Sequence, residues 1–367
     1  MTNKFNTKAR KALDNIKPYT PGKPIEEVKR ELGIDDVIKL ASNENPLGPS
    51  KKAVEKMKEA IEKVNLYPDG TCFYLKQEIA AAKGVKPSQV IVGNGSDEII
   101  KLLAEAFIEP GDNAIMANPS FSEYDFAVSL MGGFLKKVPL TDTFKHDLDA
   151  MLAAIDEKTK MIFICNPNNP TGTIVTKQEI DAFLEKVPDN VVVIFDEAYH
   201  EYAVSKEYPH GLDYVKAGWE NVAVMYTFSK IYGLAGLRVG YTIADESLLS
   251  WVYRAREPFN VNSVAQAGAL GAIHDDEHLK MSRKVNNEGA RYIYEQLSGM
   301  GLEYVETNTN FIWINIKQDD NLVFDKLLQK GVIIRTGNVF GFPNYIRVTV
   351  GTMDENKRFI KALKEVL

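Results

Sequence analysis

The stretch YTFSKIYGLAGLRVGY, residues 226 to 241, places Lys230 after an apolar run and before a glycine-rich turn. A lysine at a strand end is usually a solvated surface residue. Around it, however, short apolar runs alternate with longer amphipathic segments from about residue 50 onward, which predicts βα units and a mainly parallel sheet. The predicted strands are QVIVG (89–93), NAIMA (113–117), MIFIC (161–165), VVVIF (191–195), VAVMY (222–226) and VGYTIA (239–244).

The segment between the first two predicted strands indicates a helix. In SDEIIKLLAEAF, residues 96–107, apolar residues recur at helical spacing, and Ser96 stands where it could cap the first turn. A strand, a tight glycine turn and a helix are therefore expected in succession.

The chain changes character after about residue 262. A long helical stretch is followed by the strand-like NFIWINI, a helix around LVFDKLLQK, the short strands VIIR and YIRVTV, and a last helix in ENKRFIKALKEVL. This mixture indicates a second, α+β domain. We predict an N-terminal arm over 1–45 that joins the small domain, a large domain over 46–262, and a small C-terminal α+β domain over 263–367.

Composition narrows the classes of function. Of the 367 residues, 26% are charged and 45% apolar, as in ordinary globular proteins, and 44 basic against 50 acidic residues leave a net charge of −6. Without a long basic run, nucleic acid is not an expected partner. Because the first residues lack the apolar core of a signal peptide and no later stretch has the apolar length of a membrane span, a cytoplasmic protein without a membrane partner is expected.

Cysteines and histidines give no sign of a disulfide framework or a metal site. Cys72 and Cys165 are the two cysteines of the chain, and neither belongs to a C-x-x-C pair, which fits a reducing compartment. The five histidines show no metal-ligand spacing, so no metal is expected.

Polar residues collect after the carboxyl ends of the predicted strands, where open α/β sheets bind ligands. GNGSDE, residues 93–98, combines a glycine turn with a helix N-terminus and suits a phosphate, although a plain βα turn explains it almost as well. NPNNPTG, residues 166–172, is a stiff loop whose asparagines can donate hydrogen bonds, with a simple rigid turn as the alternative.

Two further strand ends carry charge. Asp196 ends an entirely apolar run, so its carboxylate needs a partner such as a protonated ring nitrogen, unless it only caps a helix. Ser229 and Lys230 follow the next strand, and Arg238 lies eight residues after Lys230. Pyridoxal 5'-phosphate would satisfy all four strand ends, because it combines a phosphate, a phenolic oxygen, a pyridinium and an aldehyde that a lysine can attack.

Longer motifs extend this interpretation over nearly the whole chain. They are KPYTPGKP (17–24), KLASNENPLGPS (39–50), LYPDG (66–70), GNGSDE, NPNNPTG, DEAYHEY (196–202), TFSKIYGLAGLRVGY (227–241) and YIRVTVGT (345–352). The sequence resembles the fold-type I aminotransferases, and NENP, LYPDG and DEAYHEY together resemble the histidinol-phosphate aminotransferases among them. The resemblance implies an α/β fold, with a mainly parallel seven-stranded sheet sandwiched by helices in the large domain and a smaller α+β domain.

The resemblance also implies the catalytic residues. Lys230 would form a Schiff base with pyridoxal 5'-phosphate and, once freed by substrate, move the proton between the substrate α-carbon and the cofactor. Asp196 would pair with the pyridine nitrogen, while Asn169 and Tyr199 would hydrogen-bond the phenolic oxygen. Lys230, Asp196 and Tyr199 are therefore the predicted catalytic residues.

Binding contacts follow from the same resemblance. The implied phosphate ligands are Gly95, Ser96, Asp97, Ser229 and Arg238. Tyr124 would stack on the cofactor ring, with a core aromatic as the alternative. Tyr67 would reach the phosphate from a neighbouring subunit, which implies a homodimer, and Tyr19, Arg335 and Arg347 would bind the anionic end of the substrate.

The reaction implied is ping-pong transfer of the amino group of L-histidinol phosphate to 2-oxoglutarate, giving imidazole acetol phosphate and L-glutamate in histidine biosynthesis. Two alternatives stay open at this stage. One keeps the chemistry with phenylalanine or tyrosine as substrate, alone or in a dual-specificity enzyme. The other is decarboxylation of threonine phosphate on the same scaffold.

Overall fold

A seven-stranded sheet and a four-stranded sheet organise the chain in a computed structural model, which describes residues 8–14, 16, 18 and 22–367. In chain order the strands are β1 (Ile38–Lys39), β2 (Val90–Gly93), β3 (Asn113–Asn118), β4 (Phe134–Pro139), β5 (Thr159–Cys165), β6 (Val192–Asp196), β7 (Val222–Thr227), β8 (Gly240–Ala244), β9 (Glu303–Val305), β10 (Phe311–Asn315), β11 (Val332–Ile333), β12 (Arg335–Thr336) and β13 (Tyr345–Thr349).

Helices connect these strands and cover the sheets. They are α1 (Ile25–Leu32), α2 (Lys51–Ile61), α3 (Phe73–Lys83), α4 (Gly95–Phe107), α5 (Glu123–Leu130), α6 (Leu148–Ala153), α7 (Lys177–Leu184), α8 (Gly211–Lys216), α9 (Glu246–Ala255), α10 (Ser263–Ala272), α11 (Asp276–Gly299), α12 (Asp320–Gln329) and α13 (Met353–Val366). None of the helices described is both long and apolar enough to cross a membrane.

The large sheet has the strand order β2-β8-β7-β6-β5-β3-β4. Six strands run in one direction, and β8 is antiparallel to both of its neighbours, β2 and β7. Every residue of β6 and β7 is buried, as expected for central strands with helices on both faces. The predicted α/β fold with a mainly parallel seven-stranded sheet is therefore confirmed.

The two faces of this sheet carry separate apolar cores. Val193 and Val224 point into one core, which includes side chains of α3, α7, α8 and α10, while Ile194 and Met225 point into the other, which includes side chains of α4, α5 and α9. Successive strand residues thus alternate between the faces. This arrangement leaves the carboxyl strand ends as the place where a ligand can enter.

The helix predicted after β2 is present, but Ser96 does not cap it. The helix begins at Gly95, and Asn94 is the preceding residue, so Ser96 lies within the first turn. Gly95 has a φ of 81°, a conformation that favours glycine, and the helix begins two residues before Asp97, the residue that would follow a Ser96 cap.

The second sheet has the order β12-β13-β10-β9 and is antiparallel throughout. Its apolar core includes side chains from α11, α12 and α13. Near the N-terminus, β1 pairs in parallel with β11, so residues 38–39 join the C-terminal part of the chain. The domain boundaries at 46 and 263 stay predictions, and α10, immediately after the second one, packs in the core of the large sheet.

Candidate active site

A cavity of about 550 Å³ opens at the carboxyl ends of the large sheet, where it meets the small sheet. It brings together ten of the residues predicted for the site, from positions between 96 and 347. They are Ser96, Asp97, Asn169, Asp196, Tyr199, Ser229, Lys230, Arg238, Arg335 and Arg347. The structure thus collects these residues around one space large enough for a small molecule.

Lys230 supplies the amine of this cavity. It lies three residues beyond the end of β7, and its Nζ donates a hydrogen bond of 3.3 Å to the Ser42 carbonyl. Nζ also lies 5.6 Å from the centroid of the Tyr199 ring. Burial, and then the nearby Arg347 cation, lower the pKa of Lys230 to about 8. A useful fraction of the amine is therefore neutral, and so nucleophilic, near neutral pH.

Asp196 supplies a buried carboxylate. It is the last residue of β6 and is only 3% exposed. The Tyr124 hydroxyl donates to its Oδ2 at 2.6 Å, and the Ala198 amide donates to its Oδ1 at 3.1 Å. Burial raises the pKa of Asp196, a shift that these two donors oppose. A cationic ligand in the cavity would favour the charged form further.

Tyr199 and Asn169 lie where they can face the same ligand. The Tyr199 oxygen accepts a hydrogen bond of 2.9 Å from Asn43 Nδ2, and burial raises the pKa of the phenol, which therefore stays protonated. Asn169 Oδ1 accepts a hydrogen bond of 2.5 Å from Arg347 Nη1, so Nδ2 is the donor that Asn169 offers to a ligand.

One end of the cavity is built for an anion. Ser96 lies in the first turn of α4, where backbone amides lack helical partners, and Arg238 Nη1 lies 3.5 Å from Ser229 Oγ. A Cβ on Gly95 would come within 2.6 Å of Arg238 Nη2, and the φ of 81° at Gly95 also favours glycine. The Asp97 carboxylate accepts a hydrogen bond of 2.9 Å from Arg238 Nη2 and orients the guanidinium, which leaves the backbone of Asp97 for the predicted anion contact.

Arginines line the other end. The pairing of β12 with β13 sets Arg335 directly opposite Arg347. Arg347 Nη2 donates to the Ala41 carbonyl at 2.7 Å, and its guanidinium lies 5.4 Å from the centroid of the Phe340 ring. Facing guanidinium groups create a positive surface that suits a carboxylate or a phosphate.

The position predicted for Tyr124 requires correction. Because α5 begins at Glu123, Tyr124 turns towards the sheet, is fully buried, and stacks on Phe163 with 4.4 Å between ring centroids. It lies behind Asp196 and does not line the cavity, so it corresponds to the core-aromatic alternative. Phe121 lines the cavity instead, in contact with the Tyr124 ring edge. The same PSFSEY stretch contains both residues.

Two predicted contacts lie outside this cavity. Tyr67 is 84% exposed and stacks on Phe259 with 4.8 Å between ring centroids, so its predicted reach into a neighbouring subunit stays a prediction. Tyr19 lies outside the described residues, and its predicted contact with the substrate phosphate also stays a prediction.

The role of residues 41–43 was not predicted from the sequence, although they lie within the quoted motif KLASNENPLGPS. The three residues contact Arg347, Lys230 and Tyr199 respectively, and all three line the cavity. The motif signalled the family, but its partners lie up to 306 residues away, so no local pattern pointed to this role.

Comparison with known proteins extends over nearly the whole chain. The family model described as "Aminotransferase class I and II" matches residues 35–363. A Moorella thermoacetica protein named histidinol-phosphate aminotransferase is 56% identical over 360 residues, which cover 98% of this chain and 93% of that protein. A Carboxydothermus hydrogenoformans protein named histidinol-phosphate aminotransferase 2 is 51% identical over 359 residues, covering 98% of this chain and 99% of that protein.

Solved structures show the same likeness. The crystal structure of histidinol-phosphate aminotransferase from Sinorhizobium meliloti in complex with pyridoxal-5'-phosphate has a TM-score of 0.90 and 25% sequence identity to this chain. The match covers 98% of this chain and 97% of that one.

Proposed function

The chain belongs to the class I and II aminotransferases and, among them, to the histidinol-phosphate aminotransferases, and from this premise we propose that it transfers the amino group of L-histidinol phosphate to 2-oxoglutarate. The products are imidazole acetol phosphate and L-glutamate, and the reaction belongs to histidine biosynthesis. The observation that carries the proposal is a single cavity that holds the Lys230 amine and the Asp196 carboxylate. These two groups lie between the end built for an anion and the end lined by two arginines.

The residues present fit pyridoxal 5'-phosphate. Gly95 leaves the space that a Cβ would take from Arg238, and with Ser229 and the α4 N-terminus this makes a cradle for a phosphate. Lys230 offers an amine to an aldehyde, and Asp196 offers a carboxylate to a ring nitrogen. When bound, the cofactor supplies an electrophilic aldehyde and a ring that takes up the electrons of a broken bond.

The side chains that line the proposed cofactor site would have distinct roles. Lys230 Nζ would hold the cofactor and would carry the proton that moves during transamination, a role that its lowered pKa of about 8 favours. The Asp196 carboxylate would favour the protonated form of the ring nitrogen. Tyr199 and Asn169 Nδ2 would donate hydrogen bonds to the phenolic oxygen and would orient the ring.

Arg335 and Arg347 would bind the anionic end of either substrate. A ping-pong transaminase must accept two different acids in one pocket, and an arginine fork pairs with both a phosphate and a carboxylate. The register that sets the two arginines opposite each other supports this role. Phe340 contributes an apolar wall beside Arg347.

The direct test follows the absorbance of the cofactor-loaded protein. We expect L-histidinol phosphate to bleach the band of the bound cofactor at low concentration and 2-oxoglutarate to restore it. Phenylalanine in a parallel cuvette is expected to act only at much higher concentration. If phenylalanine alone bleaches the band, the mechanism survives and the proposed substrate does not, and release of carbon dioxide without a keto acid would indicate the decarboxylase alternative.

We further propose that the protein works as a homodimer in the cytoplasm. Apolar side chains near Tyr67 are exposed in the single chain, among them Leu66, Phe73 and Tyr74, and such a patch suits a second copy of the chain. The two cysteines are free and buried, which fits a reducing compartment.

A mixed dimer would test whether Tyr67 serves the partner's site. Lys230→Ala and Tyr67→Ala homodimers are each expected to have little activity. Mixing the two chains should restore about half of the parental activity per mixed dimer, because one of its two sites then has both an intact Lys230 and the partner's intact Tyr67. No recovery in a mixture that sedimentation shows to contain mixed dimers would place the action of Tyr67 within its own subunit.

A further inference from the structure

We propose that Asn43 is a positioning residue that directs the phenolic proton of Tyr199 into the cavity. The inference deepens the proposed function, on which it rests for the identity of the oxygen that receives this proton. It concerns a residue whose side chain is buried and whose contacts join three distant parts of the chain.

Asn43 is held by hydrogen bonds on every polar group it has. Its backbone amide donates to Thr349 Oγ1 at 2.9 Å, and its carbonyl accepts from Asn310 Nδ2 at 2.9 Å. Its side-chain Oδ1 lies 3.1 Å from Thr349 Oγ1, and its Nδ2 lies 2.9 Å from the Tyr199 oxygen. The small sheet therefore holds the residue that contacts Tyr199.

The direction of each hydrogen bond follows from the donors available. A backbone amide can only donate, so Thr349 Oγ1 accepts from Asn43 and turns its own single proton towards Asn43 Oδ1. This fixes the side-chain amide with Nδ2 towards Tyr199. Since an amide nitrogen only donates, the Tyr199 oxygen must accept, and the phenolic proton is directed away from Asn43 towards the cavity.

The backbone of Asn43 supports a functional constraint. Its φ is 57°, in the left-handed region that asparagine enters more readily than other side chains but still at a cost. A residue held in this region by four hydrogen bonds is over-determined by its surroundings, as positioned groups at functional sites often are. The neighbouring carbonyls of Ala41 and Ser42 contact Arg347 and Lys230 in the same stretch.

Charged groups also face Tyr199 and must be kept constant in any test. Lys230 Nζ lies 5.6 Å from the ring centroid, and Arg347 and Asp196 act on the phenol through their charges. Substitutions at Asn43 leave these three residues in place.

The experiment measures the pH midpoint of the absorbance change of the bound cofactor in the loaded protein. A hydrogen bond from the Tyr199 hydroxyl to the phenolic oxygen would stabilise the deprotonated form of the bound cofactor. Loss of this donor would therefore raise the pH midpoint. Asn43→Asp replaces the Nδ2 donor by an acceptor of the same shape, towards which Tyr199 would turn its proton. We expect an upward shift of about one pH unit, similar to that of Tyr199→Phe.

The double variant separates positioning from the added charge. If Asn43→Asp acts through Tyr199, it adds little to the shift in a Tyr199→Phe background, whereas an effect of charge alone would persist there in full and overturn the inference. Thr349→Val, which frees the amide, is expected to shift the midpoint in the same direction, and Thr349→Ser to restore it, so the inference is tested even if Asn43→Asp does not fold.

Asn315→Asp provides a matched control on the same sheet. Asn315 is the last residue of β10, at the end of the strand opposite to Asn310, and it contacts Glu303 and Lys317. Its substitution is therefore expected to leave the pH midpoint unchanged. If the parent protein shows a pH-dependent cofactor band and neither Asn43→Asp nor Thr349→Val shifts its midpoint, the positioning role is contradicted and the proposed function is not. A parent protein without any pH-dependent cofactor band contradicts the proposed function and this inference together.

Discussion

A protein carrying Lys230→Ala is expected to lose turnover by roughly four to six orders of magnitude, because in the proposed mechanism this one side chain would provide both the attachment point and the proton carrier. The cavity offers no substitute among the described residues that line it, since the other cations there are guanidinium groups that stay protonated. The measurement is the rate of glutamate formation from L-histidinol phosphate and 2-oxoglutarate.

Cofactor attachment gives a second readout for Lys230→Ala. The anion-binding end of the cavity is intact in the variant, so cofactor should still bind, though without a covalent link. Borohydride reduction followed by denaturation is expected to leave cofactor on the parent chain and none on the variant. Lys177→Ala removes an exposed lysine that pairs with Asp181 at 2.8 Å, and is expected to behave like the parent in both assays. A Lys230→Ala protein with more than a hundredth of parental activity would refute the assigned role.

Strands buried on both faces were predictable from the sequence, because their apolar runs are continuous. The six strands predicted in the large sheet are all present. β4, an edge strand, was missed because only Val138 of its six residues is buried and two of them are lysines. The opposite edge strand, β2, is buried throughout and was predicted, so it is the exposure of β4, and not its edge position, that removes the continuous apolar signal.

Within the site, residues at strand ends were predictable and those fixed by longer-range packing were not. Asp196 and Lys230 follow apolar runs directly, so topology alone brings them together. Choosing between Phe121 and Tyr124 required the start of α5, and the role of Asn43 required contacts with Tyr199 and Thr349, which lie 156 and 306 residues away. Local patterns contain no information about such contacts.

Asp196→Asn is expected to lower kcat/KM by roughly two to four orders of magnitude. Removing one member of a buried ion pair costs about 3–5 kcal/mol, and each 1.36 kcal/mol in the transition state corresponds to a factor of ten in rate. The asparagine keeps the shape and can still meet the Tyr124 hydroxyl, so the loss reports the missing charge opposite the ring nitrogen. Steady-state kinetics with L-histidinol phosphate measures the effect, and the thermal midpoint of the apoprotein shows whether folding is preserved.

The adjacent residue supplies the control for Asp196→Asn. Glu197 is equally buried, but its Oε1 accepts a hydrogen bond of 2.5 Å from the Gly211 amide, and it does not line the cavity. Burial raises the pKa of Glu197 to about 7, so near that pH roughly half of this side chain is already neutral. Glu197→Gln should therefore keep kcat/KM within a few fold of the parent. Equal losses of kcat/KM in the two variants would mean that the buried carboxylates at the end of β6 serve only folding. A loss confined to Asp196→Asn would show that the charge of Asp196 acts on the ligand in the cavity.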